Sequence, residues 1–172
     1  MFTKVIAALM LTSSFAFAYP TVGDKVMWTG EEEKLDGTKT PMSASKEVTM
    51  WDTESHMWTI KVDKTKGEET TTEEVKTKCL WSPEDWQMLM AKCEEKGGTL
   101  EDVGVIAGTF PSCRMTVTAD DGRVIKTWMG DVPFGLIKKE ITNVGEGSKT
   151  TMEIESITNG VPTPVPEPEP GT

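Results

Sequence analysis

The sequence predicts an α+β fold, in which a curved antiparallel sheet of about seven to nine strands forms an incomplete barrel packed on one helix. Two observations predict this class. Apolar and polar residues alternate in many short segments separated by turn signals, and one stretch near residue 83 has helical spacing instead. A length of 172 residues leaves room for one such domain, which we place at residues 19–160.

The strands are predicted by a period of two. In residues 57–63, Trp58, Ile60 and Val62 fall on one face and the polar residues between them on the other. The same alternation puts five further pairs each on a common face: Val26 with Trp28, Val48 with Met50, Met115 with Val117, Val124 with Trp128, and Met152 with Ile154. Short turns between segments predict consecutive hairpins, at Asp36 with Gly37, Lys66 with Gly67, Asp121 with Gly122, and residues 145–147.

A helix is predicted at about residues 83–96. Ser82 can cap its first turn, Pro83 suits the first helical position, and Gly97 ends it. One side of this helix carries an apolar stripe at positions i, i+3, i+4 and i+7, formed by Trp86, Leu89, Met90 and Cys93. We expect this stripe to lie on the inner face of the sheet.

The two ends of the chain differ from the domain. Residues 1–18 combine an early Lys4, an apolar run at residues 5–11 and small residues before Ala18, which is typical of a signal peptide cleaved after Ala18. The apolar run is far shorter than the ~20 residues needed to span a bilayer. Residues 161–172 alternate Pro with Val, Thr and Glu, which predicts a solvated, disordered tail. The protein is therefore expected to be periplasmic or secreted.

The charge of the chain excludes some partners. There are 28 acidic and 18 basic side chains, a net charge of −10, and loss of Lys4 with the signal peptide leaves 17 basic side chains and a net charge of −11. Because no basic block is present, nucleic acid is not expected as a partner. No integral membrane protein is expected either, and the expected partners are a lipid or another envelope protein.

Three cysteines in an exported chain allow one internal disulfide. Cys79 and Cys93 would be separated by most of the helix, too far for a bond. A bridge between Cys93 and Cys113 would fasten the helix to the sheet and is the favoured pairing, with Cys79 and Cys113 as the competing one. The remaining cysteine is expected to be buried and inert, although a bridge to another chain stays open.

Two segments carry a family resemblance. Residues 107–110 read AGTF and precede Cys113, and Trp128 precedes residues 132–140, VPFGLIKKE. Together they resemble a poorly characterised group of bacterial secreted proteins and lipoproteins that looks similar to the LolA/LppX-like superfamily. The resemblance covers about residues 79–157. It implies an incomplete antiparallel barrel around one or more helices, with an apolar concave face.

Catalytic chemistry is not predicted. His56 is the one histidine of the chain, Ser55 beside it would point to the opposite side of a strand, and no serine stands in a G-x-S-x-G elbow. The paired acidic residues fall in or beside turns, where they favour a solvated surface rather than acid/base catalysis. We therefore expect no enzyme and no cofactor.

A metal site is likewise not expected, with one alternative. Met50, His56 and Met57 lie on two segments joined by a short turn, and thioether with imidazole ligands would suit Cu(I). Methionines at strand spacing are more often core residues, so copper stays the weaker interpretation.

The leading functional hypothesis is a non-enzymatic exported binding module that holds a hydrophobic or lipid group on an apolar concave face. The alternative is a structural or protein-interaction component of the bacterial envelope whose core is filled. The residues expected to line the groove or core are large and apolar: Trp28, Trp58, Trp86, Met90 and Trp128.

Overall fold

A computed structural model of the protein describes residues 20–160. The predicted signal peptide at residues 1–18 and the tail at residues 161–172 lie outside the described residues. The described part contains nine strands and one helix. Their bounds are β1 (Lys25–Glu33), β2 (Lys39–Asp52), β3 (Met57–Lys66), β4 (Glu69–Thr77), α1 (Pro83–Lys92), β5 (Thr99–Val105), β6 (Gly108–Thr118), β7 (Val124–Gly130), β8 (Leu136–Asn143) and β9 (Ser148–Thr158).

All nine strands form one curved, unclosed antiparallel sheet in the order β4-β3-β2-β1-β9-β8-β7-β6-β5. The predicted α+β incomplete barrel is confirmed. Pairing of β1 with β9 places the two ends of the described chain in the middle of the sheet. The connection that carries α1 links β4 and β5, which are the two edge strands.

The hairpin turns lie where the sequence predicts them. Gly37 and Gly122 have φ values of 79° and 81°, a left-handed conformation that side chains disfavour. Asp36 and Asp121 each accept a hydrogen bond from a backbone N–H two residues ahead, at 2.9 Å and 3.1 Å. Local turn chemistry thus sets the hairpin boundaries.

One row of paired residues defines what we call the inner face, the face of β6 that carries Cys113. Directly paired residues share a face of a sheet, so this row can be followed strand by strand. From β6 to β3 it consists of Met115, Thr127, Lys139, Met152, Gly30, Met42 and Lys66. The outer face carries the alternating residues of the same strands.

Glycine in the middle of this row has a steric reason. A Cβ atom on Gly30 would collide with the carbonyl oxygen of Thr151 on β9. The backbones of β1 and β9 therefore approach more closely here than any other residue type would permit.

The main core cluster combines residues from β1, β5, β7, β8, β9 and the loop before β8. Its buried members are Val26, Trp28, Val103, Trp128, Val132, Ile137 and Ile154. The indole N–H groups of both tryptophans are satisfied, by the carbonyl oxygen of Leu136 at 2.9 Å for Trp28 and by Glu101 at 2.7 Å for Trp128. Within residues 20–160 no buried side-chain nitrogen or oxygen lacks a hydrogen-bond partner.

Helix α1 begins as predicted but is shorter. The Ser82 hydroxyl accepts a hydrogen bond from the Asp85 N–H, the Asp85 carboxylate accepts one from the Ser82 N–H, and Pro83 is the first helical residue. The helix ends at Lys92, not at residue 96. Hydrogen-bonded turns continue to Gly97, and there the Gly98 N–H donates to the Cys93 carbonyl at 2.8 Å and Gly97 has a φ of 77°, which ends the helical segment.

The predicted apolar stripe of α1 is only partly covered. Trp86, Leu89 and Met90 are half-buried, and within α1 itself no residue is fully buried. Cys93, directly after the helix, is buried and bonded to Cys113, with a Cα–Cα distance of 5.8 Å. The disulfide thus fixes the helix to the inner face at β6, which is its principal strand contact.

Two sequence predictions are wrong. Val48 and Met50 do not share a face, because a β-bulge follows Val48 and leaves Met50 paired with Thr59 and 46% exposed. The unpaired cysteine is not buried either. Cys79 lies in the exposed segment between β4 and α1, where no strand or helix covers it.

Candidate binding face

The inner face has a closed end, formed by Val26, Trp28, Val48, Ile60 and Val62, all buried. The covering residues come from the segment before α1 and from the loop between β7 and β8: Leu80, Trp81, Pro133 and Phe134. Between these residues and Val48 there is no room for a water molecule. Protein atoms therefore fill the space over Val48.

Two contacts hold the cover in place. The Trp81 indole N–H donates to the carbonyl oxygen of Gly130 at 3.1 Å, and the Trp81 ring lies so near Gly135 that an added Cβ would be 2.7 Å from it. Phe134 has a φ of 64°, which is unusual for a residue with a side chain, and its ring centroid lies 6.5 Å from that of Trp28. Phe134 thus has a backbone conformation of higher energy, and in this conformation its ring contacts the inner face.

Further along the strands the inner face is open. Met42, Met152, Ile125 and Ile141 are half-buried. Val117, which pairs directly with Ile125, is 56% exposed, so solvent reaches this part of the sheet. We call these five residues, together with Lys139, the open end. Its methionines are flexible and polarisable, which suits contact with apolar groups of variable shape.

Three lysines lie on the inner face where the closed and open ends meet. Lys46 pairs with Val26 and Lys64 with Ala44, which places both beside the buried closed end, and Lys139 belongs to the open end. Lys64 forms an ion pair with Glu73 at 2.6 Å. The ion pairs found among residues 20–160 include none for Lys46 or Lys139.

The environment of Lys46 is unusual. Lys46 as a whole residue is exposed, yet the surrounding protein atoms partly desolvate its ammonium group. This desolvation, and then the positive charges of Lys64 and Lys139, lower the pKa of Lys46 below its ordinary value of 10.5.

Trp128 lies on the outer face, because it pairs with Lys138 rather than with Lys139. The ammonium group of Lys138 is 5.3 Å from its ring centroid. Glu101 accepts its indole hydrogen bond and forms an ion pair with Arg114 at 3.7 Å. By register Trp128 therefore lies on the opposite face of the sheet from Trp28, although both are buried members of the same core cluster.

The other predicted groove residues are dispersed. Trp28 is 4% exposed and belongs to the closed end. Trp58 is half-buried at the far end of β3, with its ring centroid 4.5 Å from that of Trp51. Trp86 and Met90 are on α1. The structure thus brings only Trp28 of this set into the centre of the inner face.

The copper alternative involves residues near the β2–β3 turn. Met50 and Met57 are diagonal neighbours on the outer face, whereas Trp51 is on the inner face. The His56 ring contacts the Trp51 ring, with 6.0 Å between the ring centroids. In the described part of the chain no three His, Cys, Asp or Glu side chains cluster as a metal site.

Sequence reasoning missed the most distinctive inner-face residues, which are the lysines, Met42 and Phe134. A signal was present for two of them. Lys46 alternates with Val48, and Lys64 alternates with Val62, so both lysines occupy inward positions of half-buried strands. For Phe134 no local signal exists, because its position depends on a loop that crosses from β8 to β2.

The fold has a solved counterpart. No protein-family model matches the chain, and no curated protein matches it. The structure is similar to that of an exported protein with a YmcC-like fold from Bacteroides fragilis, with 13% identity, a TM-score of 0.52, and coverage of 84% of this chain and 100% of that one. At this identity the similarity concerns the fold, which agrees with the predicted resemblance to exported bacterial proteins.

Two weaker similarities carry no argument. A lipoprotein from Parabacteroides distasonis has 11% identity and a TM-score of 0.47, with coverage of 83% of this chain and 98% of that one. A LolA superfamily protein from Nitrosomonas europaea has 7% identity and a TM-score of 0.27, with coverage of 84% and 89%. Among residues 20–160, no helix is long and apolar enough to cross a bilayer.

Proposed function

We propose that this protein is a non-enzymatic, exported binding module of the bacterial cell envelope that holds a hydrophobic group, such as a lipid acyl chain, on the open end of its inner face. The observation that carries the proposal is the set of half-buried apolar side chains Met42, Met152, Ile141 and Ile125 on one face of the sheet, next to Val117, which is 56% exposed. The ligand would lie along the curved sheet, not inside the filled closed end.

Export is supported by two independent features. The disulfide between Cys93 and Cys113 is of a kind that persists in oxidising compartments. Residues 1–18 have the composition of a signal peptide. We therefore propose a periplasmic or secreted location with cleavage after Ala18, and the similar fold of an exported Bacteroides protein is compatible with it.

A binding function fits the chemistry of the described residues better than catalysis. The Ser55 hydroxyl, next to the lone His56, donates to Asp52 at 2.7 Å and so is not aligned with the imidazole. The inner face offers thioethers, branched apolar side chains and lysines instead. These groups bind and orient a ligand.

A second candidate is a structural or protein-interaction component of the envelope. The specific observation in its favour is the closed end, where Trp81 and Phe134 fill the space over Val48 so completely that no water fits. On this hypothesis the open end contacts another envelope protein rather than a lipid.

Native mass spectrometry separates the two candidates. The full chain, expressed with its own leader in a bacterial periplasm and purified without detergent, should retain hydrophobic small molecules and should bind a fluorescent fatty acid after delipidation. Met152→Gln, which places an amide on the open end, should weaken fatty-acid binding about tenfold. Met88→Gln is the matched control, because Met88 is 59% exposed on α1. Absence of any bound molecule and of fatty-acid binding would favour the protein-interaction candidate.

A further inference from the structure

We propose that the ligand of the inner face is an anionic amphiphile, whose carboxylate or phosphate is bound by Lys46 and Lys139, with Lys64 at the side. This inference rests on the proposed function and names the chemical class of its ligand. It assigns the apolar chain to the open end and the anion to the lysines at its border with the closed end.

The first support is position. Lys46, Lys64 and Lys139 come from β2, β3 and β8, yet all three lie on the inner face by strand register. The positive charges of Lys64 and Lys139 also act on Lys46 and contribute to its lowered pKa. All three side chains therefore belong to the same face of one sheet.

The second support is charge. The chain has an excess of ten negative charges, so acidic partners for inner-face lysines would be easy to supply. Lys64 has one in Glu73, and Lys66 has one in Glu32 at 2.7 Å. Lys46 and Lys139 have no ion pair among residues 20–160. A cation that has no ion pair and feels the charge of other cations is stabilised when an anion binds.

The third support is the apolar surface that continues from these cations. The Lys46 ammonium is 5.7 Å from the centroid of the Phe134 ring. Lys139 pairs with Met152, and Met152 is followed in the same row by Gly30 and Met42. An anion at the lysines would thus have its attached chain beside methionine side chains, and Gly30 removes the side chain that would interrupt this path.

The lowered pKa of Lys46 is consistent with the same arrangement. Desolvation and the two neighbouring lysines disfavour its charged form. A bound carboxylate or phosphate would reverse that effect, because an opposite charge within hydrogen-bonding distance favours the ammonium form. Lys46 is also exposed, so a ligand can reach it without a rearrangement.

The test compares ligands that differ only in the head group. Delipidated full-length protein is titrated calorimetrically at pH 7.5 with dodecanoate, dodecyl phosphate, dodecanol and, without any chain, inorganic phosphate. We expect both anionic amphiphiles to bind about tenfold more tightly than dodecanol, and inorganic phosphate to bind much more weakly than either. Lys46→Gln and Lys139→Gln should each remove most of this preference while leaving dodecanol binding unchanged. Lys96→Gln, in the exposed turn after α1, is the control.

The outcomes are distinct. If dodecanol binds as tightly as dodecanoate, and Lys46→Gln alters neither, the anion site is excluded while the proposed hydrophobic function stands. If no amphiphile binds, both proposals fail. If inorganic phosphate binds as tightly as dodecyl phosphate and depends on Lys46, the site takes a free anion and the amphiphile is excluded. Circular dichroism of each variant establishes that a lost preference does not reflect unfolding.

Discussion

The ammonium group of Lys46 on β2 lies 5.7 Å from the centroid of the Phe134 ring, which belongs to the loop between β7 and β8. In the sheet, β1 and β9 stand between β2 and β8. The loop therefore crosses two strands to reach Lys46, and it covers Trp28 on the way. This contact lies at the border between the closed end and the open end of the inner face.

Replacement of Lys46 should slightly stabilise the unliganded protein. Its pKa is lowered by desolvation and by Lys64 and Lys139, so at neutral pH the folded state bears the unfavourable charged form. Lys46→Gln removes that penalty, and we expect Tm to rise by about 1 °C at pH 7, since solvent screens an exposed amine.

The effect of Lys46→Gln on stability should depend on pH. The penalty is fully present below the lowered folded-state pKa, and it disappears as the pH rises through that value to the unfolded-state value near 10.5. The difference between Lys46→Gln and the wild type, measured by thermal denaturation, should therefore shrink as the pH approaches 10.5. A variant less stable than the wild type at pH 7 would show that Lys46 has a stabilising partner.

The disulfide that attaches the C-terminal end of α1 to β6 should contribute substantially to the free energy of unfolding. Cys93 and Cys113 are 20 residues apart, and closing a loop of that size contributes about 3 kcal/mol in the chain-entropy account. The Cys93→Ser, Cys113→Ser double variant should lose about this amount in urea denaturation.

Cys79→Ser is the matched control for the disulfide, because Cys79 is exposed and is not part of the bridge. It should leave the free energy of unfolding unchanged. In the folded wild type, a thiol reagent should label one cysteine, which peptide mapping should identify as Cys79. Protection of Cys79, with labelling of Cys93 or Cys113, would contradict the pairing.

What the sequence predicted was set by local chemistry. Ser82 and Pro83 mark the start of α1, and Asp-Gly pairs mark two hairpin turns, because each signal involves backbone groups within a few residues. Alternation likewise places Val26 with Trp28 and Met152 with Ile154 on common faces. The fold class follows from these local signals together.

What the sequence did not predict depends on distant parts of the chain. The bulge after Val48 shifts Met50 to another face, and alternation alone carries no trace of it. Trp128 and Trp28 look equivalent as strand tryptophans, yet the register across β7, β8, β9 and β1 puts them on opposite faces. Curvature is likewise a property of the whole nine-stranded sheet and not of any one segment.

Gly30 should tolerate no side chain. An added Cβ would collide with the carbonyl oxygen of Thr151, a backbone atom that can move only if β1 and β9 separate. Gly30→Ala should therefore destabilise the protein by about 3 kcal/mol or more.

Gly104→Ala is the control for this substitution, since Gly104 also lies in a strand and an added Cβ would have no atom within 4 Å. Its effect should stay within about 0.5 kcal/mol, or be slightly stabilising because alanine restricts the unfolded chain. Equal destabilisation by the two substitutions, in urea denaturation, would show that the cost is one of glycine propensity rather than of strand contact.

Glu140 should make stability depend on pH in the acidic range. Burial raises the pKa of this carboxyl, but the hydrogen bond and charge of Lys138 and the charges of Lys149 and Lys126 outweigh that effect, and the pKa is lowered from 4.5. The ion pair with Lys138 has a separation of 3.2 Å, and the Glu140 side chain is 18% exposed. A carboxylate with a depressed folded-state pKa contributes stability above the unfolded-state value, and this contribution is lost as the pH falls through the folded-state value.

Glu140→Gln should therefore cost about 1 kcal/mol at pH 7, and the cost should vanish progressively below pH 4.5. Glu146→Gln, in the exposed turn between β8 and β9, is the comparison, and it should have little effect at either pH. A Glu140→Gln cost that is constant from pH 7 to pH 3 in urea denaturation would mean that packing of the side chain, and not its charge, is what stabilises β8.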